Sequence, residues 1–190
     1  MAARPSTPET SSTRTAIAET ALVDTNVLID ATNTRRPHHD DALAVLESGT
    51  ALVLSAQVIR EYLVVATRPP GVNGLGMTMA TALDNIRAFR REIRLLPEER
   101  PVLPTFLALL ERSPCSGKRI HDGHLVATTI AHDVHTIVSL NPDDFSAFRD
   151  DIAVVTPRDV LRRHGSAWHE PPRAWRRGRA TSRAAARIIR

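Results

Sequence analysis

An alternation along the chain constrains its fold most. The short apolar runs "ALVD" at 21–24, "ALVLS" at 51–55, "RLLPE" at 94–98, "HTIVSL" at 135–140 and "IAVVTP" at 152–157 read as brief strands. Between them lie stretches with helical spacing. A helix opens at Asn26–Ala31. "HHDDALAVLES" carries Ala42, Val45 and Leu46 on one side and stops at Gly49. "AQVIREYLVVAT" ends before Arg68-Pro69-Pro70, and "MTMATALDNIRAFRREI" lines up Leu83, Ile86, Phe89 and Ile93. "PVLPTFLALLERS" and "HDGHLVATTIAHD" are helical too, while "NPDDFSAF" reads as a turn with a short helix and "RPPGVNGLG" as a loop. Strands separated by helices pair in parallel, so the expected class is α/β: a three-layer sandwich with a central, mainly parallel sheet flanked by helices.

The chain has 190 residues and is 42% apolar, which suits one domain with a substantial core. No apolar run nears the roughly 20 residues of a membrane span, so no membrane partner is expected. Residues 1–20 are rich in Ala, Ser, Thr and Pro and lack the apolar stretch of a secretory signal. They read as a disordered extension, or as a start codon placed too early. The lone Cys115 excludes an internal disulfide framework and a cysteine-based zinc site, and a cytoplasmic location follows as the default. Charge is uneven. Residues 162–190 hold nine Arg and one acid, Glu170, a net of +8; the whole chain is +4, which leaves −4 on residues 1–161. The expected organisation is therefore an extension (1–20), a folded domain (21–161) and an Arg-rich, disordered tail (162–190).

Acids fall where such a sheet binds ligands, at the carboxyl ends of its strands. Asp24 ends the first strand, and Asp143 and Asp144 follow "HTIVSL". Glu61 lies in the first half of the helix after "ALVLS", and Asp122 in the first turn of the helix leading into "HTIVSL". Each has an ordinary explanation alone: Asp24 as an N-cap, Glu61 as a solvated helix residue, Asp143 and Asp144 as turn residues, Asp122 as a helix-dipole partner. Their shared placement points to one pocket. Gathered carboxylates resist ionising together, and a divalent cation removes that penalty. Hard oxygen donors without cysteine favour Mg²⁺, with Mn²⁺ as a substitute. Such an ion activates water and stabilises the leaving oxygen of a phosphodiester. Asn26 and Ser139 are expected to orient water or substrate.

In order along the chain, "LVDTNVLID", "VIREYLVVATRP", "IHDGHLVATTIAH" and "IVSLNPDDF" resemble the four acidic blocks of the PIN-domain nucleases. The "NGLG" loop and "RLLPE" are similar to the toxin branch, the VapC-type ribonucleases of toxin–antitoxin pairs. The resemblance covers roughly residues 21–160. It implies metal-site roles for Asp24, Glu61 and Asp122, with Asp24 and Asp122 as a two-carboxylate core. Asp144 matches the acid before Phe in the family's N-x-x-D-F segment, with Asp143 as its neighbour, and Ser139 stands where the family often has Thr. The resemblance further implies Mg²⁺-dependent endonuclease activity on RNA, a homodimer, and inhibition by a small cognate antitoxin.

Other motif readings fail on detail. A phosphatase of the Asp-x-Asp type needs a second acid at Asn26. The pair His121-Asp122 resembles all-helical phosphohydrolases, against which the strands argue. "GVNGLG" is not a G-x-G-x-x-G after a strand. His38 and His39 are expected to face solvent. His121 and His124 fall near the pocket, either supporting it or facing solvent. Two rival functions are a PIN-fold RNA-processing nuclease without an antitoxin and a catalytically silent RNA-binding protein; the complete acid set argues against the second. In the tail, Arg173, Trp175, Arg176 and Arg177 are candidates for RNA contact, since arginine neutralises phosphates and an aromatic ring stacks on an unpaired base. A solvated tail, or one that folds on an acidic partner, is equally open.

Overall fold

A computed structural model describes residues 20–97 and 101–165. Its centre is a five-stranded sheet of β1 (Ala21–Val23), β2 (Leu52–Leu54), β3 (Arg94–Leu95), β4 (Thr136–Val138) and β5 (Ala153–Val155), in the order β3-β2-β1-β4-β5. Every pairing is parallel, with Leu22 opposite Val53 on one side and Ile137 on the other. The three central strands are buried at each position. That burial explains why they read as solid apolar runs rather than as alternating patterns.

Among the described residues, seven α-helices flank the sheet: α1 (Thr25–Ala31), α2 (His39–Glu47), α3 (Ala56–Thr67), α4 (Met79–Glu92), α5 (Val102–Arg112), α6 (Arg119–Ala131) and α7 (Pro157–Gly165). They form two packing groups. In one, α1 packs on α2 and α3, α2 on α7, and α3 on α4; in the other, α5 packs on α6, with a 3-10 segment (Pro142–Phe148) against α6. Ser55 caps α3 by accepting from the Val58 N–H at 3.2 Å, and Thr78 caps α4 by accepting from Thr81 at 3.1 Å. The loop before α4 needs glycine at Gly74, where a Cβ would collide with the Arg68 carbonyl oxygen.

Three expectations need correction or adjustment. His39 is buried, with its Nδ1 2.9 Å from the Asp30 carbonyl; the hydrogen bond ties α2 to α1 and offsets the cost of burying the ring. Leu83 is 36% exposed, because α4 buries the neighbouring stripe of Ala82, Asn85 and Ile86. The 161/162 boundary falls inside α7. That helix begins with a capping box, in which Asp159 Oδ2 accepts from the Thr156 N–H (3.1 Å) while Thr156 Oγ1 accepts from the Asp159 N–H (3.2 Å). Arg158 Nε then reaches Asp41 Oδ2 on α2 at 2.6 Å. Residues 1–19 and 166–190, including Arg173, Trp175, Arg176 and Arg177, lie outside the described residues. Among the described residues, no helix is long and apolar enough to cross a membrane.

Candidate active site

The sheet order changes direction between β1 and β4, which opens a crevice at their carboxyl ends. Asp24 sits there. Its N–H continues the ladder to the Val138 carbonyl at 2.9 Å, and its backbone is extended (φ −73°, ψ 153°). It occupies the N-cap position of α1 but makes no capping hydrogen bond. Its carboxylate instead turns to β4, where Ser139 Oγ donates to Oδ2 at 2.7 Å. Ser139 is fully buried and accepts in turn from Asn26 Nδ2 (3.0 Å) and the Asn141 N–H (3.1 Å). Asn26 Oδ1 accepts from the Leu140 N–H at 3.0 Å. Asn26 and Ser139 thus lock the first helix turn and the exit of β4 around Asp24.

Glu61 projects from α3 toward α1 and is held by two donors. Thr25 Oγ1 donates to Oε2 at 2.8 Å, and Gln57 Nε2 donates to Oε1 at 2.8 Å. Asp122 enters from α6. The next residue, Gly123, is buried, and a Cβ there would come within 3.0 Å of the Phe148 ring. Asp144, partly buried, lies in the 3-10 segment after β4, and its Oδ1 is 3.4 Å from Lys118 Nζ. Asp143 is exposed, and of the two neighbours it is Asp144 whose charge acts on Asp122.

Electrostatics link these groups. Burial pushes the Asp24 carboxyl up to about 6; hydrogen bonds from Ser139 and the Thr25 backbone work against that rise, and the charges of Glu61 and Asp122 add to it. Burial also raises Asp122, reinforced by Asp144 and Glu61 and opposed by Lys118 and His121. Burial, Arg60 and His121 hold His124 below its ordinary value. His121 is exposed, whereas His124 is partly buried with its Nδ1 2.7 Å from Gln57 Oε1.

Sequence reasoning missed Thr25, Gln57 and Lys118. Gln57 stands one helical turn before Glu61, a spacing that brings two side chains onto one helix face and is a usable signal. Thr25 and Lys118 carry no comparable signal.

Among the described residues, no three His, Cys, Asp or Glu side chains are grouped to hold a metal ion. Three of the acids accept from protein donors, Asp24 from Ser139, Glu61 from Thr25 and Gln57, and Asp144 from Lys118. The chemistry of the donor set nonetheless fits a hard divalent cation. All four donors are carboxylates, and Asp24 and Asp122 are each held above their ordinary range partly by the negative charge of their neighbours.

Known proteins resemble this chain in sequence and in fold. The family model described as "PIN domain" matches residues 21–150. Ribonuclease VapC48 of Mycobacterium tuberculosis is 32% identical over 126 residues, which span 63% of this chain and 86% of that protein. Ribonuclease VapC24 of the same organism is 30% identical over 129 residues, spanning 66% and 89%. Among solved structures, FitAcB from Neisseria gonorrhoeae matches with a TM-score of 0.53 at 22% identity, covering 72% of this chain and 97% of that one. VapBC2 from Rickettsia felis, bound to a DNA fragment from their promoter, matches with a TM-score of 0.51 at 16% identity, covering 72% and 98%. At these identities the structural likeness establishes a shared fold. The family match takes in β1 to β4 and all four candidate acids, and the chain belongs to the PIN domain family.

Proposed function

We propose that this protein is a Mg²⁺-dependent endoribonuclease, with Mn²⁺ able to substitute, and the toxin of a type II toxin–antitoxin pair. One observation carries the reading. Asp24 forgoes the cap its position offers, and its carboxyl is pushed up to about 6 by burial, with Glu61 and Asp122 adding to the rise. An arrangement that costs the empty fold stability makes sense as a cation site. Asp24 and Asp122 are the core ligands, with Glu61 and Asp144 beside them. When bound, the ion supplies a Lewis acid that activates water and offsets charge on the leaving oxygen. Ser139 and Asn26 hold Asp24 in place. Thr25 and Gln57 each use one lone pair of Glu61 and leave others for the pocket. Lys118 brings a positive charge to the rim where a phosphodiester approaches, and Asp143 lies outside the reacting set.

An RNA substrate is supported by the curated relatives, both named ribonucleases. A small cognate antitoxin is what the family resemblance implies. A homodimer follows from the family resemblance, and a cytoplasmic setting is kept as the default that the sequence suggests. The Arg-rich segment after α7, with Arg173, Trp175, Arg176 and Arg177, is assigned to RNA attraction because residues 1–161 carry a net −4. The test is pulsed expression followed by sequencing of RNA 5′ ends. Discrete new ends and growth arrest are expected, and both should be absent with Asp24→Asn/Asp122→Asn. No new ends, or the same ends from the double variant, would refute the reading.

A further inference from the structure

Beside the acid pocket lies an open cleft of about 400 Å³, between the start of α3, the segment after β3, the first turn of α5 and one side of α6. Its polar lining includes Gln57, Arg60 and His124, and its apolar wall includes the rings of Pro97, Pro101 and Pro104. Apolar walls with a few convergent polar groups are the common form of a ligand site, and this volume lies at the small end of that range. The apolar surface of proline rings suits the face of a nucleobase better than it suits a phosphate.

Hydrogen bonds fix what His124 offers. Gln57 Nε2 donates to the Glu61 carboxylate at 2.8 Å and to the His121 carbonyl at 3.0 Å. Both partners accept only, so the amide has one orientation. Gln57 Oε1 therefore accepts from His124 Nδ1, 2.7 Å away, and that nitrogen carries the ring proton. The ring is braced edge-on by Phe106, with centroids 5.2 Å apart at 76°. Nε2 is left as an acceptor with no hydrogen-bond partner among the described residues.

We propose that this cleft is a nucleobase subsite: it takes one unpaired RNA base beside the cut, with the base face on the proline wall and a base N–H donating to His124 Nε2. The inference rests on the RNA reading of the acid pocket. It also links recognition to catalysis, since His124 touches Gln57 and Gln57 touches Glu61. His124 is then a base-contacting residue and Gln57 a positioning residue.

Cleavage of a randomised RNA pool, with 5′-end sequencing, tests the proposal alongside oligonucleotides carrying an abasic site at each position near the cut. Wild-type protein should show a base preference at one position and lose about ten- to a hundredfold in kcat/KM when that position is abasic. His124→Ala, and Ala56→Phe, which puts bulk on the cleft lining, should each flatten the preference at that position alone. His124→Gln, which restores an acceptor, should regain part of it. An unchanged preference in both His124→Ala and Ala56→Phe, or wild-type indifference to every abasic site, overturns the subsite while leaving the nuclease reading intact. No RNA cleavage by wild type sinks both.

Discussion

Asp24→Asn should inactivate the protein and yet stabilise its metal-free form. The Asp24 carboxyl has a pKa of about 6 in the fold against an ordinary 3.8. Between those values the folded protein keeps a proton that the unfolded chain has lost. Stability therefore falls as pH rises through the window, and the full penalty is present above pH 6. At about 1.36 kcal/mol per pK step the gap comes to roughly 3 kcal/mol. Asn resembles the protonated acid: it is neutral, and its oxygen still accepts from Ser139. At about 2–4 °C per kcal/mol for a chain of this size, the variant should melt roughly 6–12 °C higher in EDTA at pH 7.5. The advantage should shrink to about a third at pH 4.5, where most of the carboxyl is protonated in the fold. Thermal unfolding of both proteins across pH 4.5–8 in EDTA measures this. An equal or lower melting temperature for the variant at pH 7.5, or a gain that does not shrink toward low pH, would refute the reasoning.

Ser139→Ala removes the hydroxyl that opposes the rise of Asp24, so the carboxyl should titrate higher still. NMR titration of the metal-free protein and the acid limb of the kcat/KM profile should both move up by about one pH unit; unmoved curves would contradict the assigned role. Mg²⁺ or Mn²⁺ should raise the melting temperature of wild type by mass action and leave Asp24→Asn/Asp122→Asn unchanged, whereas an equal rise in both would indicate a non-specific ion effect. Deleting residues 166–190 should weaken RNA affinity and flatten its salt dependence without moving the cut site. An unchanged affinity and salt slope would remove the tail from RNA binding.

Strand positions and sheet class were legible because central strands of a parallel sheet are apolar throughout, as at Ala21–Val23 and Thr136–Val138. The acids were legible because parallel topology sends every strand end to one edge. α7 was not read as a helix, although "TPRD" carries a signal, a Thr-x-x-Asp capping box with Pro at the first helical position. Its few apolar residues masked it: among its described side chains, Pro157 and Val160 are the buried ones. His39 was misread because a histidine beside acids looks solvated; its burial depends on the Asp30 carbonyl, a backbone group that sequence patterns do not display. Leu83 was assigned to the wrong side because alanine and asparagine share the buried stripe of α4, where Asn85 donates to the Tyr62 hydroxyl at 2.8 Å. Thr25 became visible only once α1 and α3 met around Glu61.

Cleavage of RNA by the purified protein, with and without divalent metal, tests the central claim most directly. Wild type should cut in Mg²⁺ and stop in EDTA. Asp24→Asn and Asp122→Asn should each remain folded and lose at least about a hundredfold in rate, a larger loss than for Glu61→Gln. If both Asn variants cut RNA at near wild-type rates, the catalytic site lies elsewhere.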